Sequence, residues 1–252
     1  MQTHRFFIPS EAWNLDRLQL DAEETHHCVD VMRAVVGQRI VVFDGLGMEA
    51  LTEITHIGKS AVQLKPIQVV KTPPLRCSIT LAQAIPKGKN MDLIVQKATE
   101  LGVSRIVPLI SERTVVQLDE QEAGHKVEKW REIVIEAGKQ CGQSRLPGVV
   151  PPITPKRFFN EADHYDISFI ASLQQDARSF KTTLTEFKAQ YGRRPQSALI
   201  LIGPEGDFTP AEAALAKSAG CVPVSLGPIV LRTETAAIYC LSVLSYELQG
   251  EE

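Results

Sequence analysis

The stretch Leu199–Glu247 decides the fold of this chain. It reads LILIGPEGDFTPAEAALAKSAG and continues as CVPVSLGPIVLRTETAAIYCLSVLSYE. Two apolar runs, Ala198–Ile202 and Cys221–Leu226, have the length and composition of buried strands. Each run leads into a glycine-containing turn, GPEG after the first and GP after the second. The pattern therefore predicts two buried strands that both end in tight turns.

A helix is predicted after each of these turns. Thr209 followed by Pro210 is typical of an N-cap and a first helical residue, and Gly220 is typical of a helix end. The second helix is predicted over residues 233–248. Two such strand–glycine–helix units usually form a ligand site at the carboxyl ends of parallel strands, because glycine lets the backbone approach a ligand. Geometry alone is equally compatible with turns that bind nothing.

The two turns resemble the signature of the RsmE family of RNA methyltransferases, which belongs to the SPOUT superfamily. The resemblance rests on GPEG at Gly203–Gly206 and on LRTETA at 231–236, in the same order and spacing near the C-terminus. Three further matches are HRFF at His4–Phe7, QKATELGV at Gln96–Val103 and SERT at Ser111–Thr114. The resemblance therefore spans nearly the whole chain.

The chain departs from the family pattern at several positions. Asp207 replaces the last glycine of GPEGG, and Ile229 replaces the arginine of LGPRILRTETA. In the segment that resembles EQ-x-x-R, Lys139 stands for the glutamate and Gln143 for the arginine, so that Arg145 is a displaced substitute. These departures leave the glycine turns intact and change the charges beside them.

The residues and the resemblance together predict an α/β protein of two domains. Residues 1–72 carry closely spaced strands with glycine turns, which favours a small barrel, and the family has a PUA-like β-barrel there. Pro73-Pro74 marks the boundary, because consecutive prolines resist both helix and central strand. Residues 73–252 alternate strands with helices. The resemblance implies that this part is a SPOUT methyltransferase domain with a parallel sheet and a C-terminal trefoil knot.

Three local predictions concern particular helices. Helical spacing of apolar residues predicts a helix over Glu23–Val35. Asn90 is predicted to cap a helix over Met91–Leu101. The helix at Thr233 is apolar on more than one side, which predicts a buried partner surface, and the resemblance implies a homodimer through it.

The resemblance implies the activity. The family uses S-adenosylmethionine (SAM) to methylate N3 of a uridine in 16S ribosomal RNA, within the small subunit or its precursor in the cytoplasm. Alternatives are a SPOUT enzyme acting on another RNA such as tRNA, and a non-catalytic RNA-binding protein. A nucleotide-using α/β enzyme is disfavoured, because the chain has no G-x-G-x-x-G run.

The matching motifs also imply site residues. Arg232 is the candidate for stabilising charge on the uridine, and Glu234 is the second catalytic candidate, with helix stabilisation or pairing to Arg232 left open. The residues implied for SAM come from both turns and from the start of the last helix. They are Ile202, Gly203, Pro204, Glu205, Gly206, Leu226, Gly227, Leu231, Arg232, Thr233, Thr235 and Ala236.

Five cations are the candidates for RNA contact. They are Arg5, Arg33, Lys87, Arg113 and Arg145. Each is equally a candidate for an ordinary solvated side chain, and the chain's net charge of −3 means that any basic surface must be local.

Composition limits the remaining possibilities. Five cysteines without a CxxC pair favour reduced thiols in a cytoplasm over disulfides or zinc. The cluster His26-His27-Cys28 is not expected to bind a metal, since adjacent helical residues point about 100° apart. No apolar run reaches the roughly 18 residues of a membrane span.

Overall fold

The computed structural model describes residues 4–114, 119–161 and 164–250. The chain divides into two compact units. The first contains Met1–Pro74 and Ile135–Leu146, and the second contains Leu75–Val134 and Pro147–Glu252. The first division lies two residues beyond the predicted 72/73 boundary, and the return of the chain at 135–146 was not anticipated.

The N-terminal unit is built on a five-stranded sheet with the order β1-β3-β4-β5-β2. Its strands are β1 (Arg5–Phe7), β2 (Gln19–Leu20), β3 (Arg39–Phe43), β4 (Met48–Ile57) and β5 (Val62–Lys71). The β1–β3 pair is parallel and the other pairs are antiparallel. Alternating side chains of these strands, including Phe6, Ile40 and Ile54, form the buried core of this unit.

The turn between β3 and β4 needs its glycines. Asp44 Oδ1 accepts hydrogen bonds from the backbone N–H groups of Leu46 at 2.7 Å and Met48 at 2.9 Å. Gly47 has φ +105°, and a Cβ there would lie 2.7 Å from the carbonyl oxygen of Thr72. Any other residue at this position would be both strained and obstructed.

The helix predicted over Glu23–Val35 is wrong at its C-terminal end. The structure has α1 over Ala22–His26, then one wider π-type turn over His27–Val31. Arg33 adopts a left-handed backbone with φ +55°, which ends the helical path. Val31 and Val35 are consequently exposed, although their spacing matched that of a buried helical face.

The C-terminal unit contains a six-stranded, fully parallel sheet with the order β11-β9-β10-β6-β7-β8. Its strands are β6 (Ser78–Ala84), β7 (Arg105–Leu109), β8 (Gly148–Val149), β9 (Ile167–Ala171), β10 (Ser197–Ile202) and β11 (Val222–Val224). The chain moves outward from β6 through β7 to β8, continues with β9 on the other side of β6, and then places β10 between β9 and β6. The carboxyl ends of β9, β10 and β11 therefore lie at one edge of the sheet, where such a change of direction favours a ligand site.

Six helices accompany this sheet. They are α2 (Asn90–Glu100), α3 (Glu120–Cys141), α4 (Pro155–Glu161), α5 (Phe180–Tyr191), α6 (Pro210–Ser218) and α7 (Thr233–Gln249). The predicted start of α6 is confirmed, with Thr209 as its N-cap and Pro210 as its first residue. The prediction that Asn90 caps α2 is wrong: Lys89 holds the N-cap position and Asn90 is the first helical residue. The elements β8 and α4 were not predicted.

The last helix, α7, buries one face within the protomer. Ala237, Cys240, Leu241 and Leu244 are each at most 1% exposed. In contrast, Tyr246 on the same helix is 81% exposed. The helix packs on β10 and α2. The trefoil knot implied by the resemblance stays a prediction. Within the described residues, no helix is long and apolar enough to cross a membrane.

Candidate active site

A cavity of about 420 Å³ lies at the carboxyl edge of the parallel sheet. Its wall comes from the segments after β9, β10 and β11, from the start of α2 and from the first turn of α7. Its volume falls in the roughly 300–1,000 Å³ range that is typical of small-molecule sites. The wall combines apolar side chains, such as Ile202, Leu226 and Leu231, with backbone groups of the two glycine turns.

The first glycine turn is held from several sides. The hydroxyl of Thr233 donates a hydrogen bond to the carbonyl oxygen of Gly203 at 2.6 Å, which ties the turn to the start of α7. Within the turn, the N–H of Asp207 donates to the carbonyl oxygen of Pro204 at 2.9 Å. The guanidinium of Arg113 donates to the carbonyl oxygen of Gly206 at 2.6 Å. The turn is therefore a fixed part of the cavity wall.

The N-terminus of α6 gives further support to this turn. Thr209 and Glu212 form a capping box, in which each side chain accepts from the other residue's backbone N–H. Glu212 is 8% exposed, and its Oε1 also accepts the N–H of Glu112 at 2.9 Å. The SERT segment, which contains Glu112 and Arg113, thus braces both α6 and the glycine turn.

Gly203 and Gly227, which follow the two strands, are required for different structural reasons. Gly227 has φ +106°, and a Cβ there would meet no described atom within 4 Å. A Cβ on Gly203 would instead lie 3.2 Å from Asp207 Oδ1 and 3.3 Å from the N of Phe208. Gly203 is needed for the close packing of the turn itself, and Gly227 for its left-handed backbone conformation.

Two charged side chains at the start of α7 border the cavity. Arg232 is exposed at the N-cap position, and its guanidinium has no hydrogen-bond or ion-pair partner in the part of the chain that the structure describes. Glu234 is half-buried, and its Oε2 accepts a hydrogen bond from the Asn90 amide at 3.3 Å. Glu234 therefore pairs with α2 rather than with Arg232 or with its own helix N-terminus.

Most of the residues implied for SAM lie together. Ten of the twelve line the cavity, and Gly206 and Thr235 do not. Asn90 and the segment Ala171–Leu173 also line it and were missed. Asp207, which the sequence places directly after the first glycine turn, lines it too. The segment Ala171–Leu173 is formed by the last residue of β9 and the two residues after it, at the same edge of the sheet as the two glycine turns.

The five cations predicted to contact RNA have different surroundings. Arg5 donates to Glu49 at 2.9 Å and to the Ser144 hydroxyl at 2.9 Å, and its side chain is only 12% exposed. In the C-terminal unit, Lys87 is exposed, and in the part of the chain that the structure describes only its backbone N–H is engaged, with Glu205 Oε1 at 3.0 Å.

The remaining three cations differ in whether their side chains have a hydrogen-bond partner. Arg145 is half-buried and donates from Nε to the carbonyl oxygen of Thr72 at 2.8 Å. Arg113 braces Gly206, as described above. Arg33 is exposed, and its side chain has no hydrogen-bond or ion-pair partner among residues 4–114, 119–161 and 164–250. Of the five candidates for RNA contact, Arg33 and Lys87 thus have head groups without a partner among the described residues, as does Arg232 at the cavity.

Four of the five thiols are buried and poorly suited to act as nucleophiles. Burial raises the pKa of Cys77 and of Cys221 to about 12, and raises that of Cys28 to about 11. Burial also raises the pKa of Cys240. These four side chains are protonated at neutral pH, whereas the thiolate is the reactive form. The described residues contain no group of three His, Cys, Asp or Glu side chains that could hold a metal ion.

The chain matches two domain families. Residues 73–245 match the RNA methyltransferase domain, and residues 20–67 match the RNA methyltransferase PUA domain. A Bacillus subtilis protein named ribosomal RNA small subunit methyltransferase E is 32% identical, over 98% of this chain and 99% of its own length. A Synechocystis protein of the same name is 29% identical, over 99% of this chain and 80% of its own length.

Solved structures resemble this one over nearly its full length. A Legionella pneumophila protein in complex with SAM has a TM-score of 0.86 and 34% identity, over 98% of both chains. A ribosomal RNA small subunit methyltransferase E from Neisseria gonorrhoeae, bound to SAM, has a TM-score of 0.84 and 29% identity, again over 98% of both chains.

Proposed function

Because this chain belongs to the ribosomal RNA small subunit methyltransferase E family, we propose that it transfers a methyl group from SAM to N3 of a uridine in 16S ribosomal RNA. The observation that carries the proposal is the cavity between the two glycine turns, with the unengaged guanidinium of Arg232 at its border. Methyl transfer needs little more than alignment of two reactants and control of charge, and a rigid pocket with one free cation provides both.

SAM fits the chemistry of the cavity wall. The apolar side chains of Ile202, Leu226 and Leu231 suit the faces of an adenine, and the backbone groups of the glycine turns suit its polar edge. When bound, SAM supplies an electrophilic methyl group on a sulfonium. The proposed contacts are the ten cavity-lining residues of the implied set, with Gly206 and Thr235 behind them as supports.

The uridine requires two further roles. Neutral N3 carries a proton, and its removal places negative charge on the flanking carbonyl oxygens. We assign the stabilisation of this charge to Arg232, because an unengaged guanidinium can donate to an oxyanion. We assign the proton acceptor to Glu234, whose carboxylate lines the cavity while Asn90 orients one of its oxygens.

A matched variant tests the role of Glu234. Glu234→Gln keeps an oxygen that can accept from Asn90 and removes only the base. Turnover should fall about 100-fold or more, with SAM affinity unchanged, and the rate should recover as the pH rises, because hydroxide then replaces the base. An unchanged rate and pH profile would leave Glu234 with a structural role only.

RNA contact is proposed to depend on the exposed cations. Arg33 and Lys87 have unengaged head groups and are the proposed phosphate contacts, whereas Arg5, Arg113 and Arg145 are proposed to hold the surfaces beside them. Lys87→Ala should lower RNA affinity and reduce the slope of affinity against salt by about one. The small subunit or its precursor in the cytoplasm is the proposed substrate.

A homodimer through α7 is proposed as the working assembly. Tyr239 is 44% and Tyr246 is 81% exposed on the face of α7 that the protomer leaves uncovered, and Val243 lies half-buried between them. Exposed aromatic side chains of this kind are enriched at protein interfaces. Light scattering should give twice the chain mass for the wild type, and Tyr246→Asp should shift it towards the monomer. A monomeric wild type would contradict this assembly.

The proposed activity is tested by nucleoside mass spectrometry of 16S ribosomal RNA from cells with and without the gene. One 3-methyluridine should be lost with the gene and return when the gene is restored. If the nucleoside content is unchanged, the proposed substrate is wrong.

A further inference from the structure

The segment Pro86–Lys89 between β6 and α2 forms a basic turn. Lys87, Gly88 and Lys89 are all exposed. Gly88, at the tip, has φ +67°, a conformation that favours glycine, and a Cβ there would meet no described atom within 4 Å. Neither lysine ammonium has a hydrogen-bond or ion-pair partner among residues 4–114, 119–161 and 164–250. The basic turn therefore presents two uncompensated positive charges, two residues apart in the sequence.

Two carboxylates of the cavity wall hold the basic turn in place. Glu205 Oε1 accepts a hydrogen bond from the backbone N–H of Lys87 at 3.0 Å. Glu234 Oε2 accepts one at 3.3 Å from the amide of Asn90, the residue directly after the turn. These bonds join residues that lie 118 and 144 positions apart in the sequence. The basic turn is thus attached at one end to the first glycine turn and at the other end to the start of α7.

The bond from Glu205 fixes the main chain of the basic turn and leaves its charges available. A carboxylate that paired with the ammonium of Lys87 would neutralise it, whereas Glu205 engages the backbone N–H instead. The third carboxylate of the wall, Asp207, bonds its own neighbour Phe208 and has no contact of this kind with the turn among the described residues. Two exposed ammonium groups on a fixed main chain suit the phosphates of a nucleic acid, which lysine contacts as a point charge.

We infer that Glu205 is a positioning residue for RNA, which holds the basic turn beside the cavity so that Lys87 and Lys89 contact phosphates of the substrate strand. The inference rests on the proposed function, because that function makes the polyanion an RNA. It adds Lys89 to the proposed phosphate contacts. It also gives Glu205 a role that does not depend on where a cofactor lies in the cavity.

The test compares two substitutions of Glu205 that remove the same charge. Glu205→Gln keeps an oxygen that can accept the N–H of Lys87, whereas Glu205→Ala removes it. Filter binding of 16S ribosomal RNA, measured without SAM, should show about three- to tenfold weaker binding for the Ala variant than for the Gln variant. Because both variants lose the repulsion between the carboxylate and RNA, the difference isolates the hydrogen bond. Equal affinities of the two variants would overturn the positioning role.

The contact made by Lys89 is tested by the salt dependence of the same binding. Lys89→Ala should weaken RNA binding and reduce the slope of affinity against salt by about one. Lys97→Ala is the matched control, since Lys97 is paired with Glu100 and lies about 12 Å further along α2. It should leave both the affinity and the slope unchanged. An unchanged slope for Lys89→Ala, or an equal reduction for Lys97→Ala, would remove Lys89 from the contacts.

A combined variant shows whether Glu205 acts through the basic turn. When Lys87 and Lys89 are both replaced by Ala, the difference between Glu205→Ala and Glu205→Gln should disappear, because the turn then has no charge to position. A difference of unchanged size would overturn the inference. Unfolding midpoints within about 2 °C of the wild type exclude misfolding as the cause of weaker binding. If the variants behave as expected but the wild type forms no 3-methyluridine, the proposed function is wrong and the positioning role stands.

Discussion

The cations at two places in this protein are used in opposite ways, those around Arg5 and Lys139 in the N-terminal unit and the one at the cavity of the C-terminal unit. In the N-terminal unit, Arg5 is bonded to Glu49 and Ser144, and Lys139 forms a buried ion pair with Glu24. At the cavity of the C-terminal unit, the guanidinium of Arg232 has no partner within the described residues. The residue type alone therefore does not tell which arginine or lysine is available to bind a ligand. The hydrogen bonds and ion pairs that each side chain makes in the fold do.

Burial and mutual pairing change the pKa values of both Glu24 and Lys139. Burial raises the pKa of Glu24, against the opposing effect of Lys139. Burial disfavours the charged form of Lys139, but hydrogen bonds to Glu136 and Glu24 raise its pKa overall. Each charge thus depends on the other, which makes the pair a structural feature that cannot easily release either partner to bind RNA.

Removal of one partner from the buried pair should have the largest effect. Lys139→Met leaves the Glu24 carboxylate buried and unpaired and should lower the free energy of unfolding by about 3 to 5 kcal/mol in urea titrations. The control is Lys129→Met on the same helix, since the Lys129–Asp92 pair is solvent-exposed and should cost less than about 1 kcal/mol. Similar losses for the two variants would contradict the contrast between engaged and available charges.

At the cavity, the loss of a free charge should affect rate and leave folding intact. Arg232→Ala should reduce single-turnover methylation about 100-fold, equivalent to about 3 kcal/mol of transition-state stabilisation, with the unfolding midpoint and SAM affinity unchanged. Rapid-quench assays on small-subunit particles measure the rate. A near-normal rate would remove Arg232 from the chemistry and leave it as an RNA-holding residue.

The brace between α7 and the first glycine turn should matter less. Thr233→Val removes the hydroxyl that donates to the Gly203 carbonyl and should cost about 1 kcal/mol of stability, with a several-fold loss of SAM affinity. Thr233→Ser retains the hydroxyl and serves as the control. If Val and Ser variants bind SAM equally well, the hydrogen bond does not position the turn.

The smallest expected effect concerns an exposed ion pair of the C-terminal unit. Hydrogen bonds from Arg193, together with the backbone N–H of Gln196, lower the pKa of Asp166 from 3.8 to about 2. Because the folded pKa is depressed, this contribution to stability is complete above the ordinary pKa and is lost as the pH falls through about 2. Asp166→Asn should flatten the decline of the unfolding midpoint in this acid window and change little at neutral pH. An unaltered acid decline would mean that other carboxylates cause it.

Local signals were predictable from the sequence. The N-cap at Thr209 and the strand that precedes Gly203 depend on neighbouring residues only, and both were predicted. The helix after Glu23 was predicted too long, because its end depends on the left-handed backbone of Arg33, which apolar spacing does not reveal. Helix α4 was not predicted, and it has only seven residues, Pro155–Glu161.

Long-range partners were not predictable. Asn90 was predicted to be an N-cap from its residue type and its place before an apolar repeat. Its side chain instead donates a hydrogen bond to Glu234, which lies 144 residues away in the sequence. The pairing of Lys139 with Glu24, which lies 115 residues earlier in the sequence, is similarly not visible in a local pattern. For the candidate site, the motifs located the glycine turns, whereas the engagement of each charge required the folded structure.

The most direct test of the central claim is methyl transfer with purified components. Small-subunit particles from cells that lack the gene are incubated with the protein and with SAM labelled in its methyl group, and the 16S ribosomal RNA is then digested to nucleosides. The label should appear in 3-methyluridine at up to one per particle, and Arg232→Ala should reach the same product far more slowly. An absence of label, or label in a different nucleoside, would contradict the account.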